Sequence, residues 1–146
     1  MGGMFARILV FLSICSFAQT LWGQACPSPV SASRKLTANC TGRIQITADN
    51  VFLDLGGKTV SCGTAAFTGI EVIGRRGVRI ENGAVEGCGA GIYLQGGGKN
   101  TVKKVKLLGN SRPDARGLVI EGSAENWIEA VEARENQVGA SVSAFP

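Results

Sequence analysis

Histidine is absent from this chain, and aspartate is scarce among its 146 residues. The three aspartates are Asp49, Asp54 and Asp114, and no two of them are adjacent in the sequence. Without histidine the chain lacks the commonest general base near neutral pH. A zinc site is also poorly supported, because the chain has neither histidine nor a Cys-x-x-Cys pair. We therefore expect no metal or other cofactor, and we favour a function without catalysis.

The charge balance and the hydrophobic pattern argue against two further classes of protein. A formal net charge of +4 is compatible with an acidic polysaccharide partner but is far short of what nucleic-acid binding needs. We predict no nucleic-acid partner. Apolar residues alternate with a period of two, which disfavours helical repeats. The 21 glycines indicate many tight corners.

The first 25 residues have the pattern of a secretory signal peptide. Residues 1–7 carry one positive charge, and residues 8–17 are almost wholly apolar. Small residues then favour cleavage after Gly23 or Ala25, with Ala18 as an alternative. A retained membrane anchor would need about 20 apolar residues. We predict that residues 1–25 are removed, leaving no transmembrane segment in a secreted, periplasmic or cell-surface protein.

Four cysteines remain once the leader is removed, and an even number in an exported chain predicts disulfides. Cys62 and Cys88 end equivalent phrases of the sequence. Stacked repeats would place them about 4.8 Å apart, within disulfide reach. Cys26 then pairs with Cys40 by elimination.

A short phrase of glycine, apolar, variable and apolar residues recurs along the chain. Its glycines lie 22, 26 and 22 residues apart. A second phrase, in which Asn or Gly precedes apolar positions, falls between the copies of the first. Such regular self-similarity is typical of a solenoid, in which each repeat stacks on the next. The first phrase occurs at residues 69–72, 91–94, 117–120 and 139–142, and the second at 50–53, 77–80, 100–102 and 126–128.

Within each repeat, alternating apolar and polar residues predict short strands joined by corners. Asn82-Gly83, for example, is predicted to be a turn between two strands. We expect residues 43–146 to form an all-β solenoid of about four to five coils, each with three short parallel strands. Residues 26–42 are expected to be a short N-terminal cap of irregular structure, held by Cys26 and Cys40.

The stretch Leu53-Asp54-Leu55-Gly56-Gly57-Lys58-Thr59-Val60, followed by the two recurring phrases, resembles the right-handed parallel β-helix proteins. These belong to the pectin-lyase-like superfamily, which has repeats of the carbohydrate-binding and sugar-hydrolase type. The resemblance covers roughly residues 40–145 and implies a right-handed parallel β-helix. It implies no single activity, because that superfamily contains lyases, hydrolases, epimerases, esterases, adhesins and non-catalytic members.

Basic residues cluster in the middle of the predicted coil. They could bind an acidic glycan or a protein. Alternatively, outward charges on neighbouring laps neutralise one another, as Lys103 or Lys104 would with Glu129. The candidate ligand-binding residues are Arg75, Arg76, Lys99, Lys103, Lys104 and Lys106.

The weak candidates for catalysis lie in the longest insertion, at residues 110–116. Arg112, Asp114 and Arg116 project from this bulge, and insertions in solenoids often serve binding. A solvated loop is the alternative. The signatures of polygalacturonase-like hydrolases and of β-helix alginate epimerases are missing from the sequence.

Three aromatic residues, Phe52, Tyr93 and Trp127, could stack on sugars if alternation places them outward. They need not share one face of the coil. We therefore predict no common aromatic platform.

The sequence favours an exported, non-catalytic β-helix module that binds an acidic glycan or a protein partner. It leaves two alternatives: the N-terminal piece of a larger polysaccharide lyase, glycoside hydrolase or epimerase, or a structural assembly unit. Both arise from an incomplete lap in which Val138, Val142 and Phe145 form an apolar layer without an evident cap. Either further laps follow, or another subunit covers this open end by self-association.

Overall fold

A computed structural model describes residues 23–63, 67–110 and 113–144. The predicted leader up to residue 22, Arg112 and Phe145 lie outside these ranges. The described residues form strands joined by turns. They include no helix that could span a membrane. The strands are β1 (Gln24–Ala25), β2 (Arg34–Lys35), β3 (Cys40–Thr41), β4 (Ile44–Ile46), β5 (Phe52–Asp54), β6 (Thr59–Ser61), β7 (Thr68–Ile73), β8 (Arg79–Glu86), β9 (Ala90–Gln95), β10 (Thr101–Leu108), β11 (Arg116–Glu121), β12 (Trp127–Glu129), β13 (Glu132–Arg134) and β14 (Val138–Ser143).

All of these strands pair in parallel, in two sheets. The five-stranded sheet has the order β14-β11-β9-β7-β4. The nine-stranded sheet has the order β1-β3-β6-β8-β10-β12. In addition, β13 pairs with β10, β5 pairs with β8, and β2 pairs with β5. The chain passes from one sheet to the other in every coil, and each coil stacks on the one before. The fold is an all-β parallel solenoid of about five coils.

The coils follow one another in register. Coil 2 contains β4 to β6, coil 3 contains β7 and β8, coil 4 contains β9 and β10, and coil 5 contains β11 to β13. Strand β14 begins a sixth. Residues 26–42, expected to be an irregular cap, supply coil 1: Val30 bridges Ile46, β2 pairs with β5, and β3 pairs with β6.

The second and third strands expected in each coil merge in coils 3 and 4. Strands β8 and β10 each run for eight residues through the middle corner. The predicted turn at Asn82-Gly83 is a bend inside β8, because pairing with β10 continues on both sides of it, at Glu81 with Lys103 and at Gly83 with Val105. Asn82 makes the bend with a φ of 62°.

Inward side chains form straight apolar columns through the coils. The five-stranded sheet stacks Ile44, Ile70, Ile92 and Leu118 in one such column. The first three are completely buried. Burial of this continuous apolar column is the main source of stability for a solenoid, in which each coil covers the next.

The recurring glycine of the first phrase is required by close packing inside the coil. A Cβ atom on Gly91 would lie 2.6 Å from the carbonyl oxygen of Gly117 and 3.2 Å from Nδ2 of Asn110. No other residue leaves room for the backbone of the next coil and this amide side chain together. The repeat of glycine thus follows from the repeat of this contact.

Asparagine side chains form two hydrogen-bonded stacks inside the corners. Asn100 accepts from the backbone amide of Val78 at 3.0 Å, and Asn126 accepts from the backbone amide of Asn100 at 3.1 Å. At another corner, Asn110 accepts from the backbone amide of Cys88 at 2.7 Å. These side chains satisfy backbone amides that would otherwise be buried without partners where the chain leaves a strand.

Both predicted disulfides are confirmed. Cys26 bonds to Cys40, and Cys62 bonds to Cys88 with a Cα–Cα distance of 5.0 Å. The Cys62–Cys88 bridge joins coils 2 and 3, as the repeat alignment requires, whereas Cys26 and Cys40 both belong to coil 1. Stable disulfides indicate an oxidising compartment for the folded chain.

Candidate functional site

Coils 2 to 5 each turn their middle corner with a residue in the left-handed conformation. The φ angles are 60° at Gly56, 62° at Asn82, 52° at Lys104 and 51° at Ala130. An open groove of about 520 Å³ runs along this corner, parallel to the solenoid axis, from coil 2 to coil 5. It is lined by Gly57, Gly83, Ala84, Lys104, Lys106, Ala130 and Glu132.

Two of the predicted ligand-binding residues, Lys104 and Lys106, lie in this middle-corner groove. Neither forms an ion pair with a carboxylate of the described residues. Glu132 is in register with Lys106, but its carboxylate pairs with Arg134. The groove therefore presents two ammonium groups above a floor of small residues.

The other predicted lysines are neutralised by the next coil. Lys103 lies 3.0 Å from a carboxylate oxygen of Glu129, its register partner. The predicted pairing of Lys103 with Glu129 is thus confirmed. Lys99 lies 4.0 Å from Glu125, a longer and more exposed contact. Such exposed pairs contribute about 0.2–1 kcal/mol each and leave little charge for a ligand.

Arg75 and Arg76 lie at a different corner from the groove. The backbone of Arg76 bridges to Gly98, and its amide donates to Asp49 at 3.0 Å. The Nε atom of Arg75 is buried and has no hydrogen-bond partner among the described residues. The six predicted cationic residues therefore do not form one surface.

Phe52 and Trp127 lie in one register column but three coils apart, with Arg79 and Thr101 between them. Phe52, Arg79, Thr101 and Trp127 are successive register partners on the outer face of the nine-stranded sheet. The guanidinium of Arg79 lies 4.7 Å from the centre of the Phe52 ring, which it covers. Trp127 remains 63% exposed.

Trp127 is oriented by its neighbours. Its indole Nε1 donates to Oε2 of Glu129 at 3.0 Å, while Oε1 of Glu129 contacts Lys103. The hydrogen bond from Trp127, and then the contact with Lys103, hold the pKa of the Glu129 carboxyl below its usual value. The Trp127 ring, the Glu129 carboxylate and the Lys103 ammonium group thus form one contact cluster on β12 and β10.

Tyr93 lies on the other sheet, beside Val119 and Glu71 in register. Its hydroxyl donates to a carboxylate oxygen of Glu121 at 2.6 Å. Burial, followed by that hydrogen bond and the nearby negative charges, raises the pKa of Tyr93 to about 12. The phenol is therefore protonated at neutral pH and cannot serve there as a general base.

Asp114 and Arg116, the two catalytic candidates within the described residues, do not form an ion pair with each other. Asp114 is exposed in the turn before β11 and shares a groove with Arg43. Arg43 in turn contacts Glu71 at 3.2 Å. Arg116 begins β11, and its backbone amide donates to Gly89. Across the described ranges, no three His, Cys, Asp or Glu side chains are grouped so that they could hold a metal ion.

Parallel coils, inward apolar columns and asparagine stacks define the class of protein as a parallel β-helix. The chain belongs to the family described as the right-handed beta helix region, which it matches over residues 36–145. No curated protein and no solved structure gave a significant match. The fold is therefore assigned by its family, and its function is argued from the groove and its neighbours.

Proposed function

We propose that this chain is an exported, non-catalytic β-helix module that binds an acidic glycan in the middle-corner groove. The observation that supports this most is that Lys104 and Lys106 share the groove without carboxylate partners among the described residues. The neighbouring lysines, Lys99 and Lys103, are each paired. A polymer with regularly spaced carboxylates or sulfates would supply the missing negative charge.

The shape of the groove suits an extended chain rather than a compact ligand. Its small lining residues are Gly57, Gly83, Ala84 and Ala130, from coils 2, 3 and 5, and coil 4 contributes Lys104 and Lys106. Small side chains keep the floor low and leave its apolar surface open to the faces of sugar rings. The exposed ring of Trp127, on β12 of coil 5, offers a further stacking surface on the same coil as Ala130.

Calorimetric titration with alginate, a polyuronate, tests the proposal, with neutral dextran as the comparison ligand. The double variant Lys104→Gln with Lys106→Gln should lose at least about tenfold in affinity, equivalent to about 1.4 kcal/mol. Binding should weaken as salt is added, because exposed charges are screened.

The matched control is the double variant Arg34→Gln with Arg76→Gln. It removes the same charge from two exposed residues away from the groove. Its affinity should stay within about twofold of the parent, a change well below 1.4 kcal/mol. No binding of alginate at low salt, or an equal loss in the control variant, would refute the proposal.

Export is tested separately by the mass of the protein recovered outside the cell. Gln24 and Ala25 form β1 and pair in parallel with Cys40 and Thr41. Cleavage after Gly23 would keep this strand, whereas cleavage after Ala25 would remove it. Recovery of the chain only inside the cell with its leader intact would contradict export.

A further inference from the structure

Positive charge in the middle-corner groove is confined to one coil. Lys104 turns the corner of coil 4, and Lys106 follows it on β10. Both line the groove, and none of its other lining residues among the described ranges is cationic. Lys58, which follows Gly57 in coil 2, lies two coils away from them. An anionic group of a ligand therefore has one preferred position along the axis, over coil 4.

Coil 3, on the N-terminal side of coil 4, presents uncharged groups at the same two positions. Asn82 turns its corner, and Ala84 is the register partner of Lys106. The Nδ2 atom of Asn82 donates to a carboxylate oxygen of Asp54 at 3.3 Å, which holds the side chain against coil 2. Gly83 and Ala84 line the groove beside it. A sugar over coil 3 thus meets an amide and a small apolar surface, without a cation.

Coil 5, on the other side of coil 4, presents a carboxylate. Glu132 is the register partner of Lys106 and lines the groove. It pairs with Arg134, whose side chain lines a separate groove at the next corner. Glu132 is therefore the charged group of coil 5 that a ligand in the middle-corner groove would meet. It would repel an anionic sugar, whereas it could accept hydrogen bonds from the hydroxyl groups of a neutral sugar.

The spacing of the coils relates these positions to successive sugars. Neighbouring coils are about 4.8 Å apart, which is close to the length of one sugar unit in an extended polysaccharide. A polysaccharide lying along the axis would thus place one sugar on each coil. The column of Ala84, Lys106 and Glu132 then offers an apolar, a cationic and an anionic contact to consecutive sugars.

We propose that the ligand is a heteropolysaccharide in which each acidic sugar has a neutral sugar on either side. The acidic sugar contacts Lys104 and Lys106 over coil 4, and neutral sugars lie over coils 3 and 5. This inference rests on the proposed function and adds which acidic glycans the groove prefers. A polyuronate, with a carboxylate on every sugar, would place one of its charges against Glu132.

Calorimetric titration with two acidic oligosaccharides of equal length tests the inference. In hyaluronan, glucuronate alternates with neutral N-acetylglucosamine, whereas alginate carries a carboxylate on every sugar. We expect the hyaluronan oligosaccharide to bind at least about tenfold more tightly at low salt, although it has half the charge. Non-specific attraction to a basic surface would give the opposite order.

The variant Glu132→Gln tests the origin of the preference. It removes the carboxylate that a second anionic sugar would meet, so the preference for hyaluronan over alginate should fall at least about fivefold. Glu125→Gln is the matched control, because it removes the same charge from another corner of coil 5. Each variant releases one cation from an ion pair, Arg134 in the first and Lys99 in the second. The control should leave the preference unchanged.

The outcomes separate this inference from the proposed function. Suppose that alginate binds as tightly as hyaluronan or more tightly, and that the double variant Lys104→Gln with Lys106→Gln weakens both. This would refute the heteropolysaccharide and leave an acidic glycan as the ligand. A preference for hyaluronan that Glu132→Gln does not reduce would also overturn the inference, because coil 5 would then not exclude the second charge. Binding of neither oligosaccharide would refute both proposals.

Discussion

The side-chain oxygen of Asn110 accepts a hydrogen bond from the backbone amide of Cys88, one coil away, at 2.7 Å. Asn110 is completely buried, and its Nδ2 donates to Asn136 in the following coil at 2.8 Å. One side chain therefore links three successive coils at the corner that follows β10.

Replacing this asparagine should destabilise the fold. Asn110→Ala leaves the amide of Cys88 buried without an acceptor, so we expect the free energy of unfolding to fall by about 1–3 kcal/mol. Urea denaturation measures the change. Asn39→Ala is the control, because Asn39 accepts from the amide of Thr59 at 3.0 Å in an exposed setting. Its loss should be smaller, and equal losses would contradict the importance of burial.

The glycines of the recurring phrase should differ in their tolerance of alanine. The Cβ in Gly91→Ala would lie 2.6 Å from a backbone oxygen, so we expect a loss of about 1–3 kcal/mol from overpacking. Gly139→Ala changes the same position of the phrase, but its Cβ would meet only Ala133 at 3.8 Å. That variant should be close to neutral in thermal unfolding. A stable Gly91→Ala protein would show that neighbouring coils can move apart.

Tyr93 is the only tyrosine of the chain and can be titrated by its absorbance. A folded-state pKa of about 12, above the usual 10, means that folding favours the neutral phenol. Its stabilising contribution is complete below pH 10 and is lost as pH rises towards 12. Glu121→Gln should lower the midpoint only in part, because burial is the larger cause. A midpoint near 10 in the folded parent protein would contradict the buried hydrogen bond.

Each disulfide should contribute measurably to stability. The loops closed by Cys26–Cys40 and Cys62–Cys88 span 14 and 26 residues. Chain entropy then gives losses of about 3.0 and about 3.5 kcal/mol for the paired Cys→Ser variants. Guanidinium unfolding under oxidising conditions measures both. Unchanged stability in either variant would mean that its loop is already restricted in the unfolded chain.

The stacking of the coils could be predicted because the spacing of the recurring phrases determines which residues of neighbouring coils are in register. Lys103 and Glu129 are 26 residues apart, the same interval as between Gly91 and Gly117, so the repeat places them in one column. The same spacing argument pairs Cys62 with Cys88. Periodicity is a strong signal when every coil repeats the same contact.

The inward positions of the buried asparagines could not be predicted from the sequence in the same way. An asparagine between two strands usually indicates an exposed turn, whereas Asn100 and Asn110 point inward and serve the backbone of the preceding coil. Their recurrence at Asn126 and Asn136, each 26 residues later, is the signal that could have revealed them.

The sequence predicts Lys104 and Lys106 as candidate binding residues but not the groove that they line, because corner geometry decides where side chains point. Lys104 adopts a positive φ, which is uncommon for lysine and which nothing in its sequence neighbourhood announces. Lys103, one residue earlier, remains in the regular ladder and faces Glu129. Adjacent lysines of similar sequence context therefore have different roles.

The register of the coils also gives the outer surface a constant repeat distance. Every outward column repeats at the strand spacing of about 4.8 Å, whatever residue occupies it. Duplication of one coil would lengthen the groove by one increment and leave every existing contact in place. The reach of this surface can thus grow by insertion of whole repeats, while its chemistry changes one column at a time.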